Sequence, residues 1–148
     1  MKVKLKYILE ASRVFKLLME KRFSNFSISY KIANAAKDLD GKTAFFLAEQ
    51  KKLIEAYADK DPKTNQVVIL KNGQISFPSE ESKIDYIKAI EKLRDTEVDI
   101  FDTIEIKVSD LKDGEMDLSP SEIISLEPFI KFTFNNDSEQ GETTEPNC

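Results

Sequence analysis

The stretch IANAAKDLDGKTAFFLAEQKKLIEAY, residues 32–57, decides the fold. Within it Ile32, Ala36, Leu39, Thr43, Phe46, Gln50, Leu53 and Tyr57 recur at alternating spacings of four and three. An α-helix turns once every ~3.6 residues, so these positions make one seam along a helix that packs on another helix. With Ser27 or Ser29 as its cap, the helix is about 30 residues and ~45 Å long if unbroken. Gly41 is its weak point, costing roughly 1 kcal/mol relative to alanine, so the element is one long helix or a helical hairpin. Leu39, Phe46, Leu53 and Tyr57 are the candidate anchors of a protein interface on this seam. Packing against the chain's own helices is the competing role for the same side chains.

Upstream, Lys2–Tyr7 alternates Val3, Leu5 and Tyr7 with three lysines, which predicts a half-buried strand at a sheet edge. From Ile8 to Lys21 the period becomes helical, with Ile8, Ala11, Val14, Phe15 and Leu18 on one face. Phe23–Phe26 is a break.

Downstream, Asp59-Lys60-Asp61-Pro62 ends the long helix, because proline disfavours helical geometry in the residue before it. Gln66–Leu70 and Gln74–Phe77 flank Asn72-Gly73, which predicts a hairpin with a type I′ turn. Pro78-Ser79-Glu80-Glu81 opens a further helix, with Ile84, Ile87, Ile90 and Leu93 as its buried face. Val98, Ile100, Ile104, Ile106 and Val108 return to a period of two around Asp102, as one strand or two with a bulge. Ser119-Pro120-Ser121-Glu122 is a capping box with proline at the first helical position, opening a short helix that Pro128 stops. Phe129–Phe132 is a candidate last strand. The expected architecture is α+β: a long helix or helical hairpin packed with a small, mainly antiparallel sheet, in the order β-α-α-β-β-α-β-α. Residues 1–134 form one such domain in this reading, and the polar, acidic residues 135–148 form a disordered tail.

The 148 residues suit one domain of ordinary size. Net charge is −5, unevenly spread: residues 1–60 hold 13 Lys/Arg against 7 Asp/Glu, and residues 61–148 hold 9 against 20. No segment approaches the ~20 apolar residues that span a bilayer. Glu10, Arg13 and Lys16 interrupt the apolar run that a signal peptide needs after Met1–Lys6. A cytoplasmic location, or incorporation in a virion, is the expectation.

Histidine is absent, and Cys148 is the only cysteine. Ser-His-Asp and Cys-His arrangements, histidine metal sites and intramolecular disulfides are therefore excluded. Gly41, Gly73, Gly114 and Gly141 are too scattered to build a phosphate-cradling loop. Carboxylates are the remaining catalytic material: Asp95, Glu97, Asp99, Asp102 and Glu105, with Glu105-Ile106-Lys107 on a strand as in Mg²⁺-dependent nucleases. An outer strand face that alternates charge for solubility accounts for the same residues. Lys2, Lys4, Lys6, Arg13, Lys16, Lys21 and Arg22 make a modest basic patch, opposed by the acidic balance of the chain, so direct nucleic-acid binding is not expected.

The chain also resembles a family of small proteins, without an established activity, encoded by bacteriophages and prophages of low-GC Gram-positive bacteria. The resemblance covers about residues 1–132: the Lys-rich opening Met1–Leu5, the long helix ending Glu55-Ala56-Tyr57-Ala58-Asp59-Lys60-Asp61, the strand pair around Gly73, the acidic segment Glu97-Val98-Asp99-Ile100 and the short helix Ser119–Leu126. It implies a phage setting and no functional residue.

The expected function is that of a non-enzymatic phage-type accessory or virion-associated protein acting through contacts with a virion or host protein, or as a homo-oligomer. No catalytic, cofactor-binding or metal-binding residue is expected. The alternatives are an acidic inhibitor of a host defence or nucleic-acid-binding enzyme, and a Mg²⁺-dependent nuclease-like protein.

Overall fold

A computed structural model describes residues 1–134; the acidic tail expected over 135–148 lies outside the described residues. The fold is α+β, in the order β1 (Lys2–Lys4), α1 (Leu5–Met19), α2 (Phe26–Tyr57), α3 (Glu80–Arg94), β2 (Glu97–Asp99), β3 (Ile104–Lys107), α4 (Pro120–Ser125) and β4 (Ile130–Thr133). Contacts group the chain into two compact units. One holds Met1, Glu10–Leu39 and the described chain from Ile100 on; the other holds Lys2–Leu9 and Asp40–Asp99.

The opening strand is shorter than its alternation predicts. Leu5 belongs to both periods, since Leu5, Ile8, Ala11 and Phe15 also recur at helical spacing, and all four are buried. Helix α1 therefore starts at Leu5, and Tyr7 is left exposed. Helix α2 runs without a break through Gly41, so the single long helix is the form adopted. Its cap is Asn25 and not Ser27 or Ser29: the Asn25 side-chain oxygen accepts from the Ile28 N–H at 3.3 Å.

In the first unit the buried residues are Ala11, Val14, Phe15 and Leu18 of α1, Ile28, Ile32, Ala35 and Leu39 of α2, and Ile100, Ile106, Leu126, Phe129 and Ile130. Phe15 meets the rings of Phe101 and Phe129 edge-on at 6.2 and 6.4 Å, and Phe101 lies 6.3 Å from Phe129. Such ring pairs contribute about 0.5–1.5 kcal/mol each beyond area burial. Strands β3 and β4 pair in parallel, with Ile104 opposite Ile130 and Ile106 opposite Phe132. Helix α4 carries the expected capping box. Ser119 Oγ accepts from the Glu122 N–H (3.3 Å) and Glu122 Oε1 accepts from the Ser119 N–H (2.8 Å). The loop before it is tied down by Glu115, whose carboxylate accepts from the N–H groups of Lys112 and Ser24, each at 2.7 Å.

In the second unit β1 and β2 pair antiparallel, with Lys2 opposite Asp99, Val3 opposite Val98 and Lys4 opposite Glu97. Among the described residues the small sheet is thus two separate two-stranded sheets, one antiparallel and one parallel, and not one mainly antiparallel sheet. The chain reverses at Asn72-Gly73, but its arms pair through one isolated bridge, Ile69 with Ile75, while a second bridge joins Val67 of the first arm to Lys60. A type I′ turn needs positive φ at both central residues. Here Gly73 alone has it, at 84°, and its N–H bonds the Leu70 carbonyl at 2.9 Å. That is the longer reversal in which glycine occupies a bulge, and the Asn72 side chain closes it by accepting from the Gln74 N–H. Helix α3 opens where Pro78-Ser79-Glu80-Glu81 predicts it, with Ser79 as its cap. The expected buried face of α3 is only partly covered: Ile90 and Leu93 are half-buried, while Ile84 and Ile87 are exposed. No helix among the described residues is long and apolar enough to cross a membrane.

Two outcomes follow from these local anchors. Ser119→Ala removes an N-cap acceptor and should lower stability by about 1 kcal/mol, seen as a lower urea midpoint at unchanged slope. Hydrogen bonds from the Lys112 backbone, then from Ser24, hold the Glu115 carboxyl below its ordinary value of 4.5. A lowered folded-state pKa contributes stability above the unfolded value and loses it as pH falls through the folded one. Chemical denaturation at a series of pH values should show Glu115→Gln least stable relative to wild type near neutrality, with the gap closing in acid.

Candidate protein-contact surface

The four seam anchors do not form one exposed interface. Leu39 belongs to the first unit and Phe46, Leu53 and Tyr57 to the second. Leu39 is completely buried and Phe46 nearly so, while Leu53 and Tyr57 are half-buried. Tyr57 packs its ring edge-on against Tyr86, which in turn meets Phe77 at 5.2 Å, and the Tyr57 carbonyl accepts from Ser82 Oγ at 2.7 Å. The seam of α2 therefore serves packing.

What α2 exposes lies on another face. Phe26 and Tyr30, one turn apart, are 79% and 59% exposed and stack at 6.0 Å. Phe45 and Leu47 are exposed further along.

The carboxylates and lysines singled out by the sequence find local partners. Lys6 Nζ lies 2.9 Å from Asp95 and Lys4 Nζ 4.0 Å from the same oxygen. The hydrogen bond and charge of Lys6 hold the Asp95 carboxyl below its usual range, and Asp95 raises Lys6 in return. Lys4 and Lys6 are thus turned to Asp95 and do not form one free strand face with Lys2. Glu105 and Lys107 are exposed on β3 and line a depression of about 170 Å³ with Asn25, Lys31 and Asp110. Among the described residues no three acidic or thiol side chains are grouped so as to hold a metal ion.

A larger concavity lies elsewhere in the first unit. A groove of about 500 Å³ is lined by Ile123, Pro128, Ile130, Phe132 and Phe134, with Thr103, Glu127 and Lys131 as its polar members. Its walls are fixed from the core outward. Leu126 is fully buried, and its carbonyl accepts from the N–H groups of Phe129 (2.6 Å) and Ile130 (2.9 Å), which sets the angle at which β4 leaves α4. Thr103 Oγ1 donates to the Pro128 carbonyl at 2.9 Å and closes one end. Around this frame Phe134 is 73% exposed and Ile123 43%.

A groove with an apolar lining and uncovered aromatic and aliphatic rims suits burial against another polypeptide. Sequence reasoning placed a strand at Phe129–Phe132 but missed the groove. The available signal was Phe132-Thr133-Phe134, which carries the apolar alternation of β4 beyond the last residue that the core covers. No protein-family model, curated protein or solved structure matches this chain.

Proposed function

We propose that this chain is a non-enzymatic, phage-type accessory or virion-associated protein that works through protein–protein contact at the groove beside β4. The observation that carries the reading is the uncovered apolar rim of that groove, Phe134 with Ile123. Contiguous apolar surface of this kind on a folded chain marks an interaction site more often than it marks idle surface. The residue inventory supports the same reading. A chain without histidine, with one terminal cysteine and scattered glycines, has little with which to activate a nucleophile or cradle a phosphate. The phage setting rests on the resemblance alone.

Immobilised wild-type chain, incubated with lysate of phage-infected bacteria, should retain virion proteins. Phe134→Glu should retain at least about tenfold less of them, since it places a charge on the rim. Equal capture by both chains would remove the groove from the function. Specific capture of a nuclease or another nucleic-acid-binding enzyme would favour the acidic-inhibitor reading instead.

A further inference from the structure

The hydrogen-bond pattern of β4 specifies what its free edge accepts. Ile104 donates its N–H to the Phe129 carbonyl at 2.9 Å, while the register places Ile104 opposite Ile130 and Ile106 opposite Phe132. In a parallel ladder this turns the backbone groups of Phe129, Lys131 and Thr133 toward β3 and those of Ile130 and Phe132 away from it. The Ile130 N–H is taken by the Leu126 carbonyl at 2.9 Å. The Ile130 carbonyl and both backbone groups of Phe132 then line the outer edge, where no described strand pairs with them. One residue past β4, an extended Phe134 would continue the row with its N–H. By the period of two, the side chains of Ile130, Phe132 and Phe134 share one face, and those of Lys131 and Thr133 share the other.

We propose that β4 pairs, antiparallel and about a two-fold axis at Phe132, with β4 of a second copy of this chain. The proposal rests on the groove being a protein-contact surface and names its partner. With the axis at Phe132, each Phe132 donates to and accepts from its counterpart, and each Phe134 N–H donates to the Ile130 carbonyl of the other copy. Phe132 faces Phe132 and Ile130 faces Phe134, an apolar cross-strand ladder; on the reverse side Lys131 faces Thr133, so no like charges stand directly opposite. Phe134 of the second copy, opposite Ile130, enters the groove beside Ile123 and Pro128.

The neighbouring registers match less well. An axis at Ile130 or at Lys131 needs the Ile130 N–H, which is already bonded, and the second also sets lysine opposite lysine; an axis at Thr133 pairs Phe132 with Phe134 and leaves the Ile130 carbonyl out of the ladder. The axis at Phe132 uses the Ile130 carbonyl, both groups of Phe132 and the Phe134 N–H together, as an isologous pair requires. Pairing also widens a two-stranded sheet, a form that is marginal alone.

Sedimentation velocity over a concentration series should show the purified wild-type chain as a dimer. Phe134→Glu should sediment as a monomer with an unchanged circular dichroism spectrum. Register is read by crosslinking in a Cys148→Ser background. Residues opposite each other in a non-hydrogen-bonded pair have Cα atoms about 4.5 Å apart, within disulfide reach. A mixture of Lys131→Cys and Thr133→Cys chains should therefore form a covalent dimer on oxidation. Neither chain should do so alone, because like positions lie roughly 8 Å apart along the strand diagonal. A wild-type chain that stays monomeric throughout overturns the pairing, while capture of virion proteins lost in Phe134→Glu would still stand as a separate result. A dimer that survives Phe134→Glu, or that forms no mixed disulfide, overturns it as well.

Discussion

The packing of Phe15 against Phe101 and Phe129 is the interaction on which the first unit depends. Phe15 comes from the middle of α1, Phe101 lies just before β3 and Phe129 just before β4. One buried ring therefore sets the entry points of both strands, and the Phe129 carbonyl then accepts the first ladder bond from Ile104. Once that bond is made, the alternation of a parallel pair decides which backbone groups look inward and which look out. Leu126 reinforces the same choice from the other side, since its carbonyl consumes the Ile130 N–H. The groove beside β4 is a consequence of how the core closes.

Elements whose evidence is local were legible in the sequence. The long helix follows from a repeat sustained over Ile32–Tyr57, and Gly41 does not break it because a single glycine costs less than the packing of Leu39 and Phe46 returns. The capping box at Ser119–Glu122 and the start of α3 at Pro78-Ser79-Glu80-Glu81 were legible because the signal and the helix lie within four residues of each other. Partnership was not legible. Residues 97–108 read as one alternating run, yet Val98 pairs with Val3 while Ile104 and Ile106 pair with Ile130 and Phe132. Nothing in the alternation says which distant strand each half will meet. The opening strand fails for a related reason, since Leu5 satisfies both periods and the helical one buries more of its neighbours.

The same limit applies to the candidate site. Leu39, Phe46, Leu53 and Tyr57 stand out because they recur, but recurrence on a helix is the mark of a packed face, and the packed face is what they form. Phe26 and Phe134 are among the aromatic residues that reach solvent, and they lie at or just outside element ends, where periodicity carries little signal. Interface residues on a small protein are found by asking which apolar side chains the core leaves uncovered, a question that needs the packed core first.

The two sheets treat their edges differently, and that contrast bears on the role of β4. In the antiparallel sheet, Lys2, Lys4, Glu97 and Asp99 surround the single apolar pair Val3–Val98, so a foreign strand would meet charge at most positions. Charged residues, lysine above all, are a common means by which proteins close an edge to strangers. Strand β4 carries one lysine between Ile130 and Phe132, and the apolar alternation runs on to Phe134. No described bulge or inward-pointing charge blunts it. A chain in which 33% of residues are charged has charge to spare for such a position. Leaving that edge apolar, with donors and acceptors that no described strand pairs, fits an edge kept open for a strand that matches it.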